Sequence, residues 1–243
     1  MDHLIYTAMS GASYAMDRQA TLAQNLANSS TTGYRADTVA QRAVPLRGQT
    51  PGTRVFTLET TTGSDFTPGP MQATGRNLDV AIQGSGWLAV QASDGNEAYT
   101  RAGSLQVGSD GTLQLPNGLQ VQGDGGPIQV PDGAQLEIGT DGTIYGKTPG
   151  QKTGTTIGKL KLVNPDAADM VKGTDGLFRT RSGDPADADP NVRVADGELE
   201  GSNVNPVDAM VGMIDAARQF ELQTRLLTTA EQNDQKASAL LSA

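Results

Sequence analysis

The chain reads as a mixed fold in which long N- and C-terminal α-helices, paired in coiled-coil fashion, flank a central antiparallel all-β domain. Three observations predict it. Apolar residues recur with a helical period only near the two ends, the period falls to two residues between them, and Asp-Gly or Asn-Gly pairs punctuate that middle stretch. The expected division is a discontinuous helical domain, residues 1–65 plus 202–243 with an extended connector, and an all-β domain, residues 66–201. At 243 residues the chain is long enough to bury a core in each.

The first helix is marked by Ile5, Ala8, Met9, Ala12, Ala15, Met16, Leu22, Ala23 and Leu26, a one-sided stripe broken once by Gln19. Asp2 suits the positive end of this helix, which at ~1.5 Å per residue runs roughly 37 Å. Alanine and methionine stand where leucine or isoleucine would be usual, so backbones can approach closely while each contact stabilises little. The stripe therefore needs a partner, either the other terminal helix or a neighbouring chain. Asn25-Leu26-Ala27-Asn28-Ser29-Ser30-Thr31-Thr32-Gly33 ends the helix, because Asn, Ser and Thr side chains compete for backbone hydrogen bonds and Gly33 accepts a left-handed conformation. Beyond it, Arg35, Arg42 and Arg47 against the single acid Asp37 make a locally positive connector. It reads as a solvated link or as a contact for an acidic neighbour.

In the middle, Leu113-Gln114-Leu115, Leu119-Gln120-Val121, Ile128-Gln129-Val130 and Leu136-Glu137-Ile138 alternate as half-buried strands should. Asp-Gly or Asn-Gly pairs begin at Asp94, Asp110, Asn117, Asp124, Asp132, Asp141, Asp175 and Asp196 and supply the positive φ angles of tight hairpin turns. Gly84-Ser85-Gly86-Trp87-Leu88-Ala89 has the wording of a dinucleotide fingerprint, yet Leu88-Ala89-Val90-Gln91 reads as a strand where that motif needs a helix. A glycine-lined turn between strands fits better, with Trp87 filling core. The final helix opens with Asn205 as cap, Pro206 at its first position and Asp208 in its first turn. Val207, Met210, Val211, Ile214, Ala217, Phe220, Thr224 and Leu227 make its apolar face, after which the segment turns polar from Glu231 to Lys236.

Composition removes most function classes. A formal net charge of −9 leaves no basic surface for nucleic acid, and no stretch reaches the ~20 apolar residues of a membrane span. Without cysteine there is no thiol chemistry, and His3, the sole histidine, makes a Ser-His-Asp device or a histidine metal site untenable. Asp184, Asp187 and Asp189 lack calcium-loop spacing and read as a solvated loop. No catalytic, cofactor or metal residues are expected. A β-domain hydrolase acting on peptidoglycan would need carboxylates brought together by folding, with few aromatics to stack on sugar rings. The start does not read as a cleavable signal peptide, since the first basic residue is Arg18 and no apolar run follows a charged one.

Three groups of residues carry a resemblance. Asn25, Leu26, Ala27 and Asn28 with Gly33, Tyr34 and Arg35, then Asp79 to Trp87 with Tyr99 to Ser104, then Gly201-Ser202-Asn203-Val204-Asn205 with Arg218-Gln219-Phe220-Glu221, together resemble the bacterial flagellar axial proteins of rod and hook. The opening Met1 to Met9 is most similar to proximal-rod members, a distal-rod subunit being the alternative. Trp87-Leu88 and Ser104-Leu105 depart from the family's usual wording but keep apolar bulk. The resemblance implies a structural, non-enzymatic subunit of the flagellar basal body in the periplasm, exported by the flagellar type III apparatus without signal cleavage. It also implies that the partners are other rod proteins and copies of the chain itself, that the β domain faces outward, and that the terminal helices make the polymerisation interface. That interface is expected at Ile5, Ala8, Met9, Ala12, Ala15, Met16, Leu22, Leu26, Val207, Met210, Val211, Ile214, Ala217, Phe220 and Leu227.

Overall fold

A computed structural model describes residues 2–45, 55–147 and 154–241. The chain falls into two compact units, one of Met1–Ser29, Ala36–Asp65 and Val204–Ala243, the other of Ser30–Arg35 and Phe66–Asn203.

The first unit is built on two helices, α1 (Asp2–Ala27) and α2 (Pro206–Leu241). They run antiparallel: a Cβ built on Gly11 would lie 2.9 Å from Gln223, and one on Gly212 would lie 3.0 Å from Leu22, so rising numbers in one helix meet falling numbers in the other. The seam is made of small residues. Ala8, Ala12 and Ala15 are buried on α1, and Ala209, Ala216 and Ala230 on α2. Ala8, Ala15 and Leu22 recur every seven residues, as do Ala209, Ala216, Gln223 and Ala230, the repeat that keeps one helical face turned toward a partner. Asn205 caps α2 as its position suggests, its Oδ1 accepting from the Val207 amide at 3.0 Å.

The connector folds back on itself as a two-stranded ribbon. Asp37–Pro45 and Val55–Ser64 pair antiparallel from Asp37↔Ser64 to Pro45↔Val55, with a register shift between Thr38 and Ala40. Threonine and valine are frequent in both segments, which is the strand propensity that an emphasis on Arg42 and Arg47 passed over. Asn25 anchors the ribbon to the end of α1: its Nδ2 donates to the Asp37 carbonyl and its Oδ1 accepts from the Asp37 amide, both at 2.8 Å. Arg47 and Arg54 lie outside the described residues.

The second unit is antiparallel throughout. Its largest sheet has five strands, ordered Leu162–Val163, Trp87–Gln91, Glu97–Thr100, Phe178–Thr180 and Met170–Lys172; a three-stranded sheet joins Gln135–Ile138, Thr143–Lys147 and Thr155–Lys159. Val80, Ile82, Leu88, Val90, Leu105, Leu113, Val121, Ile144 and Val194 lie in the main core, while Trp87, Tyr99, Val163, Met170 and Phe178 form a second one. Alternation appears as written at Leu136 and Ile138, which are buried beside exposed Gln135 and Glu137. Leu119–Val121 and Ile128–Val130 are a correction, since they pair only through isolated bridges such as Val90↔Val121 and Thr112↔Gln129. Their apolar side chains still face inward, so pattern reported burial there without regular pairing.

The turns also differ from two-residue hairpin loops. In five of them the glycine amide donates to the carbonyl three residues earlier: Gly95 to Ala92, Gly111 to Gly108, Gly118 to Leu115, Gly142 to Gly139 and Gly176 to Gly173. The preceding Asp or Asn accepts, through Oδ1, the amide two residues on, as Asp110 does from Thr112 and Asp141 from Thr143. This is a type I turn closed by one left-handed glycine, with φ between 77° and 86° in these five. Only one residue per turn then needs positive φ. At Asp124 the second glycine, Gly126, takes it instead of Gly125.

Candidate assembly surface and junction

Pairing α1 with α2 divides the stripes expected from the sequence. On α1, Ala8, Ala12 and Ala15 are consumed by the seam and Ile5, Leu22 and Leu26 are half-buried, but Met9 and Met16 remain 56% and 57% exposed. On α2, Val207, Met210, Val211 and Ile214 are exposed, whereas Ala217, Phe220 and Leu227 are half-buried. The inner face of α2, which the sequence left unassigned, is carried by Ala209, Gly212, Ala216, Gln223 and Ala230. Hydrophobicity selects large side chains, yet two helices whose backbones approach closely need small ones between them. The seven-residue recurrence of alanine was the available signal.

What remains outside is ordered. Tyr6, Met9, Ser13, Met16, Ala20, Ala23 and Ala27 are all exposed and follow one another at alternating spacings of three and four, a second seam line along α1. Leu222 and Leu226 extend the exposed apolar residues of α2.

Within the second unit, the residues that follow the first helix meet those that precede the second. Gly33 has φ of 68° and donates its amide to the Glu200 carbonyl at 2.8 Å. A Cβ there would lie 2.2 Å from the Arg101 carbonyl carbon, so only glycine fits. Asn203 donates its amide to the Tyr34 carbonyl at 3.3 Å and its side chain to the Thr67 carbonyl at 3.0 Å. Lys172 stands 3.9 Å over the Tyr34 ring and donates to the Arg35 carbonyl.

Arg35, expected at the start of a solvated positive stretch, is instead 1% exposed. Its Nη1 lies 2.7 Å from Glu200 Oε1, and Arg101 Nη1 donates to Glu200 Oε2 at 2.9 Å. Trp87 covers the group, its ring 5.4 Å from the Arg101 guanidinium and 6.0 Å from that of Arg35. Burial pulls the Arg101 guanidinium down from its usual basicity while Glu200 opposes the fall. Arg101 lies in the Tyr99 to Ser104 stretch that carries the resemblance, but Glu200 was not singled out from the sequence, because charge alone places an acid on the surface. Gly84-Ser85-Gly86 joins Val80–Gln83 to Trp87–Gln91, and no helix follows it. Among the described residues no cluster of His, Asp or Glu could hold a metal, and no helix is long and apolar enough to cross a membrane.

Comparison with known proteins agrees with this layout. Family models match three stretches: "Flagella basal body rod protein" over residues 5–35, "Flagellar hook protein FlgE/F/G D1 domain" over 81–146, and "Flagellar basal body rod FlgEFG protein C-terminal" over 195–240. The chain is 47% identical over 250 residues to the flagellar basal-body rod protein FlgF of Salmonella typhimurium and 48% identical to that of Escherichia coli, covering 100% of this chain and 99% of each relative. It is 32% identical over 242 residues to the rod protein FlgG of Buchnera aphidicola, covering 90% of this chain and 92% of the relative. Full-length identity at that level, joined to matches at both helical ends and in the β unit, places the chain in the FlgF family of flagellar basal-body rod proteins.

Proposed function

We propose that the chain is a structural subunit of the proximal rod of the bacterial flagellum, polymerising through its terminal helices into a hollow shaft that transmits torque. The observation that carries this is the ordered apolar surface left over once α1 and α2 have paired with each other. In this reading the helix pair is a short antiparallel coiled coil, residues 1–65 and 202–243 make the axial contacts, and Met9, Met16, Val207, Met210, Val211 and Ile214 meet neighbouring rod proteins or copies of the chain. A contact between different faces of like subunits does not close on itself and so propagates as a helix. Covering the exposed half of each such side chain contributes about 1 kcal/mol, which makes assembly a sum of many weak contacts. The chain reaches the periplasmic rod through the flagellar export apparatus without signal cleavage, and it performs no catalysis.

The test is Met16→Glu and Ile214→Glu, made singly in a motile strain lacking its own copy of the gene. Each variant is expected to be exported and to keep the β unit folded, while rods fail to extend and swimming stops. Normal swimming by both would refute the assignment of these faces.

A further inference from the structure

The cluster at Glu200 joins three stretches that are far apart in sequence. The chain passes between its two units after Ser29, Arg35, Asp65 and Asn203, and the segments beside those passages converge on this one carboxylate. Glu200 Oε1 accepts from the Gly69 amide at 3.0 Å and meets Arg35, while Oε2 takes Arg101. Backbone bonds repeat the same joins: Gly33 to Glu200, Gly201 to Pro70, and Asn203 to Tyr34. The fit is tight, since a Cβ on Gly69 would lie 2.1 Å from the Gly201 carbonyl oxygen.

This arrangement is a poor choice for stability alone. Two guanidinium groups share one carboxylate in the interior, and among the described residues Arg35 Nε, Nη1 and Nη2 and Arg101 Nε make no hydrogen bond, Arg35 meeting Glu200 as an ion pair while Arg101 and the Gly69 amide supply the directional bonds. Such triads are commonly no more stabilising than apolar side chains of the same volume, whereas directional bonds admit one geometry and reject others. An apolar cluster would let the three segments slide; a shared carboxylate does not.

We propose that Arg35, Glu200 and Arg101 form a latch that holds residues 33–35, 69–70 and 200–203 in a single fixed geometry under load, with all three acting as positioning residues. The latch rests on the reading of the chain as a force-carrying rod subunit, but its geometry can be tested without that reading. Amide hydrogen exchange on the full-length protein is compared at Gly33, Gly69, Gly201 and Asn203 and, as reference, at Val90 and Leu113. Glu200→Gln is expected to speed exchange at the first four by about tenfold or more and to leave the reference amides unchanged. Arg35→Lys, which can keep a charge beside Oε1, is expected to retain most of the protection. The triple variant Arg35→Met, Glu200→Leu, Arg101→Met is expected to recover thermal stability without recovering protection at Gly33 and Gly69, and to swim poorly in viscous medium while swimming in thin medium. Unchanged exchange in Glu200→Gln, or full recovery of both protection and viscous swimming in the triple variant, would overturn the latch. If instead deletion of the gene left swimming intact, the rod assignment would fall and the exchange results would still decide the latch.

Discussion

Gly33 and Gly75 offer a controlled experiment, because they share a left-handed φ and differ in their surroundings. Gly33 has φ of 68° and Gly75 has φ of 69°, so alanine at either pays the same left-handed strain, about 1–2 kcal/mol. Around Gly75 nothing lies within 4 Å of an added Cβ, whereas at Gly33 the Cβ would fall 2.2 Å from the Arg101 carbonyl carbon and 2.4 Å from the Ala102 nitrogen. Both are backbone atoms and cannot swing away. Displacing Gly33 stretches its amide bond to the Glu200 carbonyl, about 1 kcal/mol, and the close contact adds about 1–3 kcal/mol more. Gly33→Ala is therefore expected to destabilise the β unit by about 3–6 kcal/mol and Gly75→Ala by about 1–2 kcal/mol. Urea unfolding followed by the fluorescence of Trp87, the only tryptophan and a neighbour of the same cluster, reads both. Equal destabilisation of the two variants would show that conformation alone, and not the approach of Arg101, dictates glycine at position 33.

Other expectations follow from the same geometry. Ala216→Leu should loosen the α1–α2 seam by about 1–3 kcal/mol, seen as a lower helical melting temperature by circular dichroism, while Ala217→Leu beside it should cost little. In the isolated protein, amides of residues 5–30 and 225–241 should exchange faster than those of the β core, and uniformly slow exchange at low concentration would contradict helices that depend on neighbours for cover. Hydrogen bonds from Thr112 and Thr143 hold the carboxyls of Asp110 and Asp141 below the ordinary carboxylate range, and the bond from Arg179 does the same for Asp175. A folded-state pKa below the unfolded one means stability is present above about pH 4 and is lost as pH falls through the folded values. Changing Asp110 and Asp141 to Asn keeps the side-chain acceptor that Asn117 already uses, so acid titration of the double variant should show a shallower loss of stability than the parent.

The family was legible because its signals are local. Asn25 to Arg35 and Gly201 to Asn205 are short contiguous stretches that can be read as stop and cap signals without knowing where their distant partners lie, and most Asp-Gly pairs supply a left-handed glycine. The two helices were legible for the same reason, each being a period that repeats along one segment. The inner face of α2 was not legible, because hydrophobicity points to large side chains while the seam is set by how near a second backbone comes. Ile214 is more hydrophobic than Ala216, yet it is Ala216 that is buried.

Composition and period alone thus determined that this acidic, cysteine-free chain has helices at its ends and a turn-rich antiparallel middle. Tertiary structure decided which side of each helix is spent within the chain and which is left outside, and it decided that Arg35 is not a surface charge. Burial of an ion depends on whether a counter-charge arrives from elsewhere, and Glu200 stands 165 positions away in a chain where nothing local announces the pairing.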